Sequence, residues 1–189
     1  VTSGDITREN GKPAMVFDGS NSNLELANNN LYSNTNGLGV ITTLKSDVVA
    51  NFDVIIGQYG LDDNRVWRLE TNRAVVQSDP STFNGSEATN SSNFLLDTNQ
   101  MILSMQWYPN SPVQIHKNGV LEDTASASVS ALPSSGTIPL IGASFGSNGT
   151  AKTSFFKGTI QEITVFNRVL TNQENLNSTN DINNYYSIF

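Results

Sequence analysis

The chain has no cysteine and a single histidine, His116, in 189 residues. The missing thiols exclude disulfides, thiolate metal sites and a cysteine nucleophile. One imidazole excludes any mechanism that needs two. Basic residues are scarce as well: 10 Lys and Arg stand against 17 Asp and Glu, a net charge of −7. Nucleic acid is bound through clustered cations. The sequence holds no such cluster, so no nucleic-acid partner is expected. No apolar run approaches the ~18 residues that span a bilayer as a helix, and no membrane insertion is expected.

What fills the space is uncharged and polar. The chain contains 25 Asn, 22 Ser and 17 Thr, an excess over ordinary usage. Hydrophobic residues still reach 37%, above the poorly hydrophobic, highly charged composition of disorder. The excess suits a loop-rich, solvated β domain, and equally a surface built for hydroxyl-rich ligands. The length suits one domain over residues 1–189, large enough to bury a core without staples. The chain begins at Val1 without a methionine, as expected of a trimmed fragment or a mature product. Four Asn-X-Ser/Thr triplets, at Asn84, Asn90, Asn148 and Asn177, are what such a composition produces by chance.

The pattern along the chain is β throughout. Short runs with period two alternate with turn clusters, the mark of half-buried antiparallel strands. Strands are expected at Met15–Phe17, Leu24–Ala27, Val40–Leu44, Phe52–Ile56, Arg65–Glu70 and Met101–Trp107, then Val113–His116, Ile138–Ile141 and Thr159–Phe166. Asn118-Gly119 between apolar runs predicts a tight hairpin, because both central residues of that turn need positive φ. Thr171 and Glu174 have capping-box spacing and predict one short helix. The tail from Asp181 carries Tyr185, Tyr186, Ile188 and Phe189 and is expected to pack back, as a closing strand. The fold class is therefore all-β: a two-sheet antiparallel sandwich or jelly roll with one short helix after the last long strand.

Several segments resemble a known family. Ile138-Pro-Leu-Ile-Gly142 is followed by Phe156-Lys-Gly158-Thr-Ile160-Gln-Glu162, then Asn167-Arg168-Val-Leu170-Thr171-Asn-Gln-Glu174. Phe17-Asp-Gly-Ser-Asn-Ser-Asn-Leu24-Glu-Leu26 precedes them, and Gln114-Ile-His116-Lys-Asn-Gly119 lies between. In this order they resemble the laminin G-like domains of the concanavalin A-like lectin/glucanase superfamily. The resemblance implies two curved sheets of about six or seven strands each. It implies fold more strongly than function.

Catalytic equipment is thin. The glucanase branch uses Glu-x-Asp-x-x-Glu on one strand, which sets carboxylates on one face to act as nucleophile and acid. Glu70 has Asn72 two positions on, Asp62-Asp63 is a loop pair, and Glu122-Asp123 are neighbours facing opposite ways. The motif is absent. Alginate-lyase jelly rolls order an Arg strand, a Gln-Ile-His triplet and a Tyr-x-Lys-x-Gly-x-Tyr-x-Gln strand. Arg68, Arg73, Gln114-Ile115-His116 and Lys157-Gly158 follow that order, but the catalytic tyrosine has no counterpart. No enzyme is expected, and a polysaccharide lyase or glycoside hydrolase stands as the lesser alternative.

Binding is the expectation that remains, with a glycan or polysaccharide as partner. Sugars need a flat aromatic and fixed donors and acceptors. The candidates are Tyr59, Asn64, Trp67, Arg68, Glu70, Tyr108, Gln114 and His116. Trp67 and Trp107 alternate with apolar residues, which also suits a core. Tyr108, at a strand end, is expected to be exposed. Arg68, Glu70, Gln114 and His116 alternate outward. Asp62, Asp63 and Asn64 offer oxygens for calcium, although turn residues in a turn explain them equally well. Such a recognition module is expected in a larger extracellular, cell-surface or virion-surface protein. The alternative is a structural domain of a phage fibre or capsid, forming homo-oligomers through Tyr185–Phe189.

Overall fold

The computed structural model describes residues 5–27, 36–48, 52–59, 65–79, 84–89, 98–132, 138–146 and 151–189. Among them the chain forms fifteen strands and one helix. Seven strands make the larger sheet, in the order β1 (Ile6–Glu9), β2 (Lys12–Asp18), β15 (Lys157–Phe166), β4 (Leu38–Ser46), β9 (Gln100–Trp107), β10 (Gln114–Lys117) and β11 (Val120–Thr124). Six make the smaller: β3 (Leu24–Glu25), β12 (Leu140–Ile141), β5 (Val54–Tyr59), β6 (Arg65–Glu70), β7 (Arg73–Asp79) and β8 (Asn84–Thr89). A two-stranded ribbon joins β13 (Ser144–Phe145) to β14 (Lys152–Thr153). Every pairing within the sheets is antiparallel. The architecture is the expected β-sandwich.

Alternation builds the core. In β9, Met101, Leu103, Met105 and Trp107 face inward, and Leu44, Val40 and Leu38 of β4 pair with Met101, Met105 and Trp107. Trp67 and Leu69 of β6 close on them from the opposite sheet within one buried cluster. The hairpin between β10 and β11 turns through Asn118 at φ 52° and Gly119 at φ 81°, as the sequence predicts. The Asn118 side chain accepts from the Ile102 amide at 2.9 Å, which pins the turn to the neighbouring strand.

Two aromatic rings close one edge. Phe17 of β2 meets Phe156 edge-on at 6.0 Å. Gly142, at φ +79°, ends β12 beneath that contact, and a Cβ there would lie 2.3 Å from Phe17 Cδ1. Its amide donates to Ile55 O and its carbonyl accepts from Phe156 N. The Ile-Gly and Phe-x-Gly segments of the sequence are thus one joint between the two sheets.

The helix α1 (Asn172–Tyr186) starts at a complete capping box, with Thr171 accepting from Glu174 N. It runs 15 residues and takes in much of the tail, so Asp181–Tyr186 is helical and not a closing strand. The end is tied down: Asn10 Nδ2 donates to the carbonyls of Tyr186 and Ser187, and Ile188 packs against Ile41, Ile102 and Leu170. Burial and the neighbouring Glu162 carboxylate push the Tyr186 hydroxyl up to about 12. Among the described residues no helix is long and apolar enough to cross a membrane.

This helix covers the outer face of the larger sheet. His116 does point outward, opposite the inward Ile115, and sits across from Ser104 in the register. It is nonetheless only 6% exposed. Asn175 of α1 is hydrogen-bonded by Gln106 on the same face, and Leu176 and Thr179 reach to Gly119 at the hairpin tip. His116 Nδ1, Ser104 Oγ and Thr179 Oγ1 are buried and find no protein hydrogen-bond partner among the described residues. Burial disfavours the charged imidazolium and lowers the His116 pKa from its ordinary value.

Two outcomes follow from this packing. Gly142→Ala must strain the backbone and push Phe17 aside, at a cost of about 2–4 kcal/mol. Gly11 has φ +75° and nothing within 4 Å of a Cβ. Gly11→Ala therefore isolates the backbone term at about 1 kcal/mol, and urea unfolding of the two variants measures the difference. His116 supplies the second outcome. Its native pKa lies below the unfolded ~6.5, so below that pH the unfolded chain binds a proton that the folded chain refuses. Stability is lost as pH falls from ~6.5 towards the native pKa. Melting temperature against pH should fall more steeply for wild type than for His116→Gln between about pH 7 and 5.5. Parallel curves would show that His116 binds its proton equally in the folded and unfolded states.

Candidate functional site

The sequence nominated outward-facing residues on two strands, and the fold separates them. Trp67 and Leu69 face the core, so Arg68 and Glu70 lie on the outer face of the smaller sheet. Gln114 and His116 lie on the outer face of the larger one. The whole core stands between the two sets, and they cannot form one site. Nor are Arg68 and Glu70 a solvated pair. Glu70 is buried and lies between two guanidiniums, with Arg73 Nε donating to it and Arg68 Nε at 2.6 Å. The Arg68 contact is a close approach of charges, off the line of an aligned hydrogen bond. Gly57 sits opposite Arg68, and a Cβ there would be 2.6 Å from the Arg68 Cβ. The bare backbone gives the arginine its space. Burial and the Glu70 charge raise the pKa of nearby Asp53. A buried carboxylate between two guanidiniums is an internal cross-link, costly to break.

Trp67 is 1% exposed and Trp107 is fully buried, so both are core and neither can touch a ligand. Tyr59 lies in β5, but its side chain falls outside the described residues, as does all of Asn64. The proposed calcium oxygens of Asp62, Asp63 and Asn64 also fall outside them. Among the described residues no group of three or more acidic or histidine side chains is placed to hold a metal ion.

Two of the nominated residues do meet. Tyr108, 48% exposed, and Gln114 line one groove of about 620 Å³ between the end of β9, the start of β10 and the first turn of α1. Its floor is Pro112, Val169 and Leu170; its polar lining includes Gln106, Ser111, Thr171, Asn172 and Gln173. The volume falls in the ~300–1,000 Å³ range of ligand sites. Each wall has a local cause. Pro109 follows Tyr108 and ends the strand, which leaves the ring outside. Asn110, at φ 62°, turns the chain back, and Ser111 N donates to Tyr108 O at 3.1 Å. Gln106 ties the far wall: its Oε1 accepts from Leu170 N at 2.9 Å and its Nε2 donates to Asn175 Oδ1 at 3.4 Å. Gly39 makes room, since a Cβ there would crowd Gln106 Oε1 at 3.0 Å.

Charge at the groove's margin is closed on itself. Arg168 grips Glu174 through two contacts of 2.8 Å, and Glu174 Oε2 also accepts from Thr171 N. The Arg168 guanidinium, then the Thr171 amide, hold the Glu174 carboxyl down to about 2. The sequence had flagged Thr171 and Glu174 as a helix start and as part of the laminin G-like resemblance, not as neighbours of a groove. Gln106 was missed altogether. Its one signal was an amide in the middle of the apolar run Met101–Trp107, on the face opposite the core.

A second cleft, of about 340 Å³, opens at the sandwich edge against Ile6, Pro13, Met15, Leu24 and Ile141. It is mainly apolar and offers few groups to orient a hydroxyl-rich molecule.

No family model matches the sequence, and no curated protein matches it. Solved structures do match in fold. One is the CBM40 module of the Ruminococcus gnavus IT-sialidase, solved with α2,3-sialyllactose, at 11% identity and TM-score 0.64 over 91% of this chain and 97% of that one. Another is domain 4 of AbnA, a GH43 extracellular arabinanase of Geobacillus stearothermophilus solved with arabinotriose, at 17% identity and TM-score 0.57 over 91% and 80%. A third is the binding domain of Paraclostridial Mosquitocidal Protein 1, at 11% identity and TM-score 0.65. It spans 95% of this chain but 46% of that one. The laminin G-like segments find no family match of their own. The likeness is one of fold alone, a jelly-roll β-sandwich.

Proposed function

We propose that residues 1–189 form one non-catalytic recognition module that binds a glycan in the Tyr108 groove. The observation behind this reading is the groove itself: an exposed tyrosine ring beside the amides of Gln106, Gln114, Asn172 and Gln173. An aromatic face takes the apolar C–H face of a sugar, and amides both donate and accept, as sugar hydroxyls do. The fold neighbours lend support, since two were solved with oligosaccharides. The laminin G-like resemblance of the sequence agrees with such a role, outside the cell or on a cell or virion surface.

The lyase alternative loses ground on geometry. It needs His116 and a nearby tyrosine to converge on one polymer, and His116 is only 6% exposed, on the face that α1 covers. Arg68 lies on the outer face of the other sheet.

Tyr108→Ala should lower glycan affinity about tenfold or more, a truncation cost above ~1 kcal/mol. The melting temperature should hardly change, because the ring is half exposed. A glycan array followed by calorimetry on the hit checks this. A hit that Tyr108→Ala leaves untouched would place the site elsewhere.

One observation favours the assembly reading. Tyr185 and Phe189 remain 58% and 59% exposed, whereas Tyr186 is buried and Ile182 and Ile188 are half-buried. If copies pair through them, light scattering will show a defined oligomer that the double variant Tyr185→Ser, Phe189→Ser turns into monomer. A wild-type monomer rejects that reading.

A further inference from the structure

The groove's electrostatics extend the glycan reading to a ligand class. We propose that the groove selects uncharged oligosaccharides and discriminates against those bearing carboxylate, sulfate or phosphate. This rests on the groove being the glycan site.

Three observations lead there. First, among the described residues lining the groove none is charged at neutral pH; its polar groups are amides, hydroxyls and one phenol. An anionic sugar gains most from a charge-assisted, bidentate partner such as arginine, and the lining supplies none. Second, Arg168, which adjoins the lining residue Val169, is already committed. Both Arg168 Nη atoms meet the Glu174 carboxylate at 2.8 Å, and Nη1 also donates to Val169 O at 3.0 Å. Third, the start of α1 opens into the groove, and an open helix start ordinarily attracts anions. Here the chain's own carboxylate occupies that place. Glu174 accepts from the amide and the hydroxyl of Thr171 at 2.9 and 3.1 Å. An incoming anion would find the Thr171 amide already taken and the Glu174 charge already matched by Arg168. The net charge of −7 adds a weak, salt-screened repulsion.

Glu174 is thus a specificity residue as well as a cap. Glutamine also serves at the third position of a capping box. Glu174→Gln therefore keeps the helix start while removing the charge and releasing Arg168.

The experiment is calorimetry with the full chain, led by an array that pairs neutral glycans with acidic counterparts. Lactose against 3′-sialyllactose is one pair, and arabinotriose is a further neutral probe. The expected result is that hits are neutral and that adding one acidic group weakens binding at least about tenfold. Affinity should stay level from about 50 mM to 1 M sodium chloride, because no ion pair is made. In Glu174→Gln, with an unchanged melting temperature, the gap between neutral and acidic partners should narrow several-fold. Tighter binding of the acidic partner, or affinity that collapses with salt, overturns the selectivity and leaves the glycan reading standing. A gap unchanged in Glu174→Gln overturns the role given to Glu174. Failure of every glycan to bind overturns the glycan reading, and the selectivity with it.

Discussion

The contact of Phe17 with Gly142 is the constraint on which the sandwich turns. Phe17 belongs to the larger sheet and Gly142 to the end of a strand in the smaller one. The ring fits only because position 142 has no Cβ and adopts positive φ. Through its two backbone hydrogen bonds Gly142 then fixes Ile55 on one side and Phe156 on the other. Phe156 leads directly into β15, the long strand that pairs with both β2 and β4. One glycine therefore sets the spacing and the relative placement of the two sheets. Gly158 repeats the device across the register from Phe17, where a Cβ would strike Lys45 O at 2.1 Å.

With the sheets set, the C-terminal helix decides what remains available for binding. The outer face of the larger sheet is part apolar, with Ile41, Ile102 and Phe166, and part polar, with Ser104, Gln106 and His116. Uncovered, that mixture would be a broad binding surface. Helix α1 lies over part of it, and Tyr108 and Gln114 emerge beside the helix start. The groove is therefore a by-product of where the helix stops covering the sheet. The outer face of the smaller sheet is occupied differently, by the Arg68–Glu70–Arg73 cross-link.

Many of the strands were legible because alternation is a local signal, whereas β1, β7, β8, β13 and β14 were not expected, and Ser78–Asn93, read as a surface loop, contains β8. Met101, Leu103, Met105 and Trp107 announce β9 and its inward face without reference to the rest of the chain. The hairpin at Asn118-Gly119 and the cap at Thr171 and Glu174 are equally local, and both stand where the residues placed them. Burial of the outward residues was not legible. Alternation tells which side of a sheet His116 faces, and it does face outward. Whether that side meets water depends on a helix some 60 residues further on. That helix has a weak amphipathic signature, rich in Asn and with Asn175 and Thr179 among its buried residues. A polar face docked on a polar sheet leaves little hydrophobic pattern to read. Arg68 and Glu70 also face outward as expected, but their burial was not legible, since a cross-link between Glu70 and two arginines looks in sequence like a solvated face.

The same polar docking couples the groove to the helix. Gln106 spends its carbonyl oxygen on Leu170 and its amide on Asn175, and its side chain also lines the groove. Groove shape is thus set by how α1 sits, and α1 sits on buried polar groups whose hydrogen bonds are incompletely met. Apolar packing tolerates small shifts at little cost, whereas polar groups in a low-dielectric site must be matched or charged a penalty. A face built this way holds the helix in one register more strictly than it holds it tightly. That suits a recognition site, in which Tyr108 and the amides need fixed relative positions, and it gives the uncharged polar excess of the composition a structural use beyond solvation.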